Sequence, residues 1–277
     1  MNSETLEDNP NYYYYDSDYP SESMGIYREN FDQVTEFQGI AYDVPRYCEI
    51  AKCTSGAILE LCCGSGRVSI PLARNGHRIV AVDIARPMLS QFEANLQREP
   101  SEVARRIELT QADVSKLALK QKFGLIICPF NSLLLIPDFQ AQLRTLHVVR
   151  EHLAPNGIFV LDVVNPLVLK IDGDSSPMPF FTRRNPHSGN KYTRFAMSDP
   201  FDQDNRQRLF GYYDEIDPQG VVRRQHYSFF WRPIFRFELE LMLRVAGLSI
   251  VKLEAGHRGE PFSSARSPNM FIQAQLI

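Results

Sequence analysis

Glu60, Gly64, Gly66 and Asp83 are the residues whose types and spacing bear most directly on chemistry in this chain. The two glycines stand in Cys62-Cys63-Gly64-Ser65-Gly66-Arg67. An apolar run, Ala57-Ile58-Leu59-Glu60-Leu61, precedes them, and a helical pattern follows from Val68. Glycine has no Cβ, so the backbone there turns tightly and comes close to a ligand. A helix starting just after the turn aims free N–H groups back at it. Asp83 closes a second apolar run, Ile79-Val80-Ala81-Val82, 17 positions after Gly66. A carboxylate there accepts both hydroxyls of a ribose. Glu60, just before the turn, repels a pyrophosphate and attracts a cation. The set suits an adenosine ligand carrying an ammonium or sulfonium better than one carrying two phosphates. The dinucleotide fingerprint G-x-G-x-x-G is incomplete, because Ser69 holds its last position and bulky Arg67 follows Gly66.

Glu60-Leu61-Cys62-Cys63-Gly64-Ser65-Gly66-Arg67 resembles motif I of the class I S-adenosylmethionine-dependent methyltransferases. The similarity runs from about Tyr42 to Pro166 and resumes near the C-terminus. It implies a Rossmann-like α/β fold: a doubly wound, mostly parallel seven-stranded sheet with an antiparallel β insert or lid. It implies S-adenosyl-L-methionine as cofactor, with Glu60, Gly64 and Gly66 at the turn and Asp83 on the ribose. In Gln111-Ala112-Asp113-Val114 it places Asp113 on the adenine amine, with Ala112 and Val114 beside the ring. Tyr42 falls near the methionine end. Two plainer readings stay open: Tyr42 as a helix-packing residue, and Asp113 as the N-cap of a short turn at Ser115 to Leu117. Pro129-Phe130-Asn131-Ser132-Leu133 resembles motif IV. Phe130 and Asn131 would line the path of the methyl group there. The nearest branch by resemblance is that of small-molecule N-methyltransferases of the glycine and amino-sugar types.

Methyl transfer from a sulfonium is an in-line displacement with the leaving group already activated. The protein must hold nucleophile, carbon and sulfur in line and exclude water. An amine acceptor needs only to lose its proton, whereas a hydroxyl gains about 10² to 10⁴ from a base. Asn131, His226 and Tyr15 are the catalytic candidates, with His257 a further base.

The elements that must position these residues alternate between strand and helix. Helical patterns cover Ile26 to Cys53, with a break at Gln38-Gly39 and Pro45 near the start of a second helix. They recur at Val68–Asn75, Pro87–Gln97, Phe139–Leu153 and Pro233–Ala246. In the last of these, Phe237, Leu241 and Val245 share a face. Strands are expected at Ile107–Thr110, Phe123–Cys128 and Ile158–Val164, besides the two that flank the glycines. Leu248–Leu253 and Asn269–Leu276 are expected to form a final hairpin with a reversed edge strand.

Four segments follow from this pattern: a tyrosine-rich N-terminal arm (1–25), the cofactor-binding core (26–166), a substrate-covering antiparallel insert (167–232), and a C-terminal helix and hairpin that complete the core sheet (233–277). The arm, with Tyr12 to Tyr15 in a row, reads either as a disordered tail or as a flap over the active site. In the insert, strands at Arg208–Ile216 and Val221–Trp231 flank the turn Asp217-Pro218-Gln219-Gly220. Arg183, Arg184 and His187 are expected on a loop of the insert, as solvated charge or, alternatively, as binders of an acidic substrate.

A net charge of −3 gives no reason to expect nucleic acid. No apolar run approaches the roughly 18 residues that span a bilayer, and the N-terminus does not read as a secretory signal. Five cysteines without C-x-x-C spacing point to reduced thiols in a cytoplasmic protein and to no metal site. The expected partner is a small-molecule methyl acceptor, with neither nucleic acid nor membrane; a homodimer stays open. Two rivals remain. A nicotinamide-dependent oxidoreductase lacks its third glycine here and leaves Asp113 unexplained. A cofactor-binding member without methyl transfer would keep the same turn.

Overall fold

The computed structural model describes residues 9–20 and 40–277. The chain forms two compact units. The larger comprises Tyr42–Leu169 and Arg232–Ile277; the smaller comprises Lys170–Trp231 and the N-terminal part. Helix α1 (Pro10–Asp18) opens the described chain and belongs to the smaller unit.

Helix α2 (Ile40–Lys52) leads into the larger unit. Pro45 lies inside it, so the helix starts earlier than Pro45 suggested; the expected break at Gln38-Gly39 falls outside the described residues. Strands β1 (Ile58–Leu61) and β2 (Ile79–Asp83) are buried along their whole length. Apolar runs buried on both faces are the mark of central parallel strands. Helix α3 (Ser69–Arg74) follows the glycine turn, and α4 (Arg86–Leu96) follows β2 with Pro87 in its first turn. Next come β3 (Ile107–Gln111) and β4 (Phe123–Cys128). Helix α5 (Phe139–His152) starts where the Asp138 carboxylate accepts the Ala141 amide at 2.7 Å, a side-chain N-cap. Strand β5 (Leu153–Val164) begins five residues before the expected Ile158, because Leu153 already pairs with Phe123 ahead of a register shift.

Strands β6 (Asp174–Arg184), β7 (Lys191–Ser198), β8 (Gln207–Ile216) and β9 (Val222–Trp231) form an antiparallel sheet in chain order. The sequence reading found only the last two. Strand β6 carries Pro177 and Pro179, which disguised it, yet it sits at a sheet edge, where proline is tolerated. Tyr14 of α1 packs into a core with Phe181, Tyr192, Tyr213 and Tyr227. Asp18 is 1% exposed and accepts hydrogen bonds from Tyr192 at 2.7 Å, Tyr213 at 2.6 Å and Arg194 at 2.9 Å. From Asn9 to Asp18, then, the arm is an ordered helix docked within its own unit, and a disordered tail is excluded for that stretch. Arg183 is a second correction. It is buried, stacks 3.8 Å above the Phe181 ring and donates to the Ser17 carbonyl, instead of lying in solvent.

The chain then returns to the larger unit with α6 (Arg236–Val245), β10 (Leu248–Glu254) and β11 (Asn269–Leu276). The sheet order is β10-β11-β5-β4-β1-β2-β3. All neighbours through β5 are parallel; β11 is antiparallel to both β5 and β10. The reversed strand is therefore second from the edge, because the hairpin inserts its later strand into the sheet. On α6 the buried residues are Leu239, Met242 and Leu243, while Phe237, Leu241 and Val245 are exposed. The apolar stripe noted in the sequence is thus not the face that holds the helix.

Candidate active site

The strand order reverses between β1 and β4. In open α/β sheets this is where ligands bind, at the carboxyl ends of the strands. The turn after β1 is shaped by Gly64 at φ 56° and Gly66 at φ 90°. A Cβ on Gly66 would sit 2.4 Å from the ring of Phe92 on α4, which is fully buried. The Asn95 amide, also on α4, donates to the Ser65 carbonyl at 3.1 Å. So α4 fixes the turn from behind, which requires glycine at 66 for packing as well as for conformation.

Asp83 ends β2 and is 8% exposed. One carboxylate oxygen accepts the Gly64 amide at 2.8 Å and the other accepts the Ala85 amide at 2.8 Å. Burial still raises its pKa against these bonds. Glu60 on β1 is 1% exposed and accepts the hydroxyl of Ser69, the first residue of α3. Burial pushes it up to about 8, so at neutral pH it holds its proton. Two desolvated acids beside one turn make a place where a cationic ligand gains and a second anion loses. That is a fit for an adenosine ligand with a positive end.

Asp113 caps a single turn of 3-10 helix, Val114–Lys116. Its carboxylate accepts the Ser115 amide at 2.9 Å and the Ser115 hydroxyl at 2.8 Å, with Lys116 at 3.2 Å. Although burial works the other way, those partners hold its pKa low. The plainer reading of Asp113 as an N-cap is therefore realised. Ala112 donates its amide to the Asp83 carbonyl at 3.0 Å, which ties this segment to the end of β2. Val114 is buried.

After β4, Phe130 and Asn131 occupy consecutive left-handed positions, φ 56° and 60°. For residues with a Cβ this costs roughly 1–2 kcal/mol each, and such strain concentrates at functional sites. It is held by Asp162 on β5. The carboxylate accepts the Phe130 amide at 2.9 Å, and the main-chain oxygen accepts the Asn131 amide at 3.0 Å. The Asn131 side-chain oxygen in turn accepts the Val164 amide at 2.6 Å. Arg67 lies 4.9 Å over the Phe130 ring and pairs with buried Asp43 of α2 at 2.6 Å. Tyr42, half-buried, lies under the Arg258 guanidinium at 3.8 Å.

Within the larger unit the structure thus gathers Glu60, Gly64, Gly66, Asp83 and Ala112, and fixes Phe130 and Asn131 in the turn just after the adjoining strand β4. His226 and Tyr15 belong to the smaller unit. His226 is exposed on β9 beside Tyr212, and Tyr15 packs edge-on against Tyr19. The sequence reading missed Asp162, Asp43 and Phe92. The signal for Asp162 was present: one carboxylate in the otherwise apolar run Ile158-Phe159-Val160-Leu161-Asp162-Val163-Val164. Among the described residues no three His, Cys, Asp or Glu side chains are grouped to hold a metal.

Residues 58–157 match the family model described as "Methyltransferase domain". That stretch is similar to a methyltransferase domain. The matched residues include Glu60, the glycine turn, Asp83, Asp113 and the Phe130-Asn131 turn. Over 216 residues the chain is 26% identical to a cypemycin N-terminal methyltransferase of a Streptomyces species, covering 78% of this chain and 81% of the relative. The fold is similar to that of the CcbJ methyltransferase from Streptomyces caelestis, with a TM-score of 0.72 at 22% identity over 85% of this chain and 90% of that one. It is also similar to S-adenosylmethionine-bound CalS10, an amino pentose methyltransferase from Micromonospora echinaspora. The TM-score is 0.66 at 17% identity, over 92% and 97% of the two chains.

Proposed function

We propose that this protein methylates a nitrogen of a small molecule, with S-adenosylmethionine as donor. The observation that carries the reading is the Asp83 clamp. A buried carboxylate at the end of β2 is hydrogen-bonded to the Gly64 amide of the glycine turn, beside a second buried acid that is neutral at pH 7. Gly64, Gly66 and Asp83 hold the adenosine end, with Asp83 toward the ribose. Glu60 faces the cationic end together with Tyr42. Ala112, Asp113 and Val114 flank the adenine. Bound there, S-adenosylmethionine supplies an activated methyl group. Phe130 and Asn131 line its path, and their fixed turn keeps the acceptor in line. Nitrogen is preferred to oxygen because His257, the candidate base in the larger unit, is buried against Asp162, and an amine acceptor needs only to lose its proton. The similarity to a cypemycin N-terminal methyltransferase and to an amino pentose methyltransferase supports an amine-bearing acceptor.

Nucleic acid is not the acceptor on this reading, since the chain carries a net charge of −3. Five cysteines without C-x-x-C spacing support a cytoplasmic location on this reading. Among the described residues no helix is long and apolar enough to cross a membrane.

Calorimetric titration with S-adenosylmethionine, its demethylated product S-adenosylhomocysteine, and NAD tests the donor. Binding of the first two alone is expected. An amine and hydroxyl acceptor screen, read by release of S-adenosylhomocysteine, then tests the acceptor class. Binding of NAD alone would overturn the donor; turnover of hydroxyls and not amines would overturn the acceptor.

A further inference from the structure

The carboxylate that clamps the Phe130 amide also meets a histidine. His257, in the segment between β10 and β11, is 8% exposed. Its Nε2 stands 3.7 Å from Asp162 Oδ1 and makes no hydrogen bond. That is too long for a hydrogen bond; the contact is an ion pair when the imidazole is protonated. Tyr47 of α2 donates its hydroxyl to the same oxygen. The His257 ring packs edge-on against Phe271 of β11 at 5.2 Å and lies 6.2 Å from the Tyr47 ring. One buried oxygen therefore serves the Phe130 amide, a tyrosine hydroxyl and an imidazole.

A buried carboxylate with a partner removed is costly and rearranges. Burial pushes the Asp162 carboxyl up, yet His257, Tyr47 and the Phe130 amide hold it below the usual range. Burial pushes His257 down, and Asp162 outweighs it, with Asp43 of α2 adding to the rise and Arg67 opposing it. Among the described residues the charged groups that act on the imidazole include Asp162 from β5, Asp43 from α2 and Arg67 from the turn into α3. Tyr47, also on α2, is held neutral by its burial.

We propose that His257 is a positioning residue: as an imidazolium against Asp162 it fixes the strained Phe130-Asn131 turn, so the geometry beside the cofactor follows the protonation state of a histidine outside that turn. The proposal rests on the functional reading above. The sign follows from the charge. A histidine raised above its ordinary value holds the turn below its folded pKa and releases it as pH rises through that pKa.

The test is nuclear magnetic resonance of the full chain with isotope-labelled histidine and backbone nitrogen. The His257 imidazole and the Phe130 amide are expected to titrate with one shared midpoint. Asp162→Asn should lower the His257 midpoint by about one unit or more. His257→Gln should leave the Phe130 amide without that midpoint. In parallel, S-adenosylhomocysteine affinity of the native protein should fall several-fold on the alkaline side of the midpoint. His257→Gln should bind equally on both sides once the Glu60 and Asp83 titrations, common to both proteins, are subtracted. If the Phe130 amide ignores the His257 titration in the native protein, the proposal fails, whatever the variants do. If S-adenosylhomocysteine does not bind at any pH while the two signals still share a midpoint, the positioning contact stands and the functional reading is what fails.

Discussion

The Gly64 amide donates to the Asp83 carboxylate at 2.8 Å, joining two residues 19 apart in sequence across neighbouring parallel strands. The other oxygen of the same group accepts the Ala85 amide at 2.8 Å. Asp83 therefore holds the protein's own turn as well as facing the expected ribose.

Replacing Asp83 is expected to act on both. Hydrogen bonds to a charged group contribute about 1.5–3 kcal/mol each. Asp83→Asn keeps one acceptor and is expected to weaken S-adenosylmethionine binding by roughly 10- to 100-fold with a small loss of stability. Asp83→Ala should lower the melting temperature as well. Calorimetry and thermal unfolding of the two variants separate these effects; native affinity in Asp83→Asn removes Asp83 from the cofactor site.

Glu60 stays protonated up to about pH 8 in the folded chain, against 4.5 ordinarily, because burial disfavours its charge. The unfolded chain loses that proton first. Glu60 therefore subtracts from stability progressively as pH rises from 4.5 to about 8 and by a constant amount above. A cation placed beside it reverses the preference. Binding of S-adenosylmethionine at pH 7 is expected to release about one proton, read from calorimetry in buffers of different ionisation enthalpy. Glu60→Gln should release none. Equal release by both proteins would disconnect Glu60 from the charge of the ligand.

Gly66 and Gly76 make a natural pair. Both have φ near +90°, but a Cβ at 66 meets the Phe92 ring, whereas one at 76 meets nothing within 4 Å. Gly76→Ala is expected to cost the backbone strain alone, about 1–2 kcal/mol. Gly66→Ala should add about 1–3 kcal/mol for forcing a buried ring aside and should abolish detectable cofactor binding. Equal melting temperatures for the two variants would show that the Phe92 contact relaxes without cost.

In the smaller unit Asp18→Ala leaves the Arg194 guanidinium buried without its carboxylate. Breaking a buried pair in this way costs roughly 3–5 kcal/mol. The expected result is early proteolytic cleavage within residues 10–18 and a lower melting temperature. Asp18→Asn, which still accepts from Tyr192 and Tyr213, should recover part of the loss. Unchanged protease resistance in Asp18→Ala would mean that the tyrosine core alone holds α1.

The seven-stranded sheet was legible because β1, β2, β4 and the second half of β5 are mostly apolar runs bounded by turn residues, and β3, β10 and β11 keep apolar residues in strand-like segments between recognisable turns. The glycines and Asp83 were legible for the same reason: a ligand-binding turn demands special backbone, and only a few residue types supply it. Strands β6 and β7 were not, since their alternation is interrupted by prolines and by Arg183 and Arg194, which are buried only because aromatic rings and Asp18 accompany them. Asp113 was open between two roles, and its carboxylate caps the turn through Ser115. Tyr47, Asp162 and His257 lie far apart in sequence, and nothing local to any of them announces the other two.

Because β11 enters the sheet between β5 and β10, β5 gains its second neighbour only when residues 269–276 have been made. Throughout synthesis of the four strands of the smaller unit, an apolar strand in the middle of the future sheet stands with one edge unpaired. Exposed strand edges recruit other chains. The order of emergence from the ribosome thus makes the nascent chain most prone to aggregate after β5 and before β11, and folding yield should depend steeply on temperature and on chaperones during that interval.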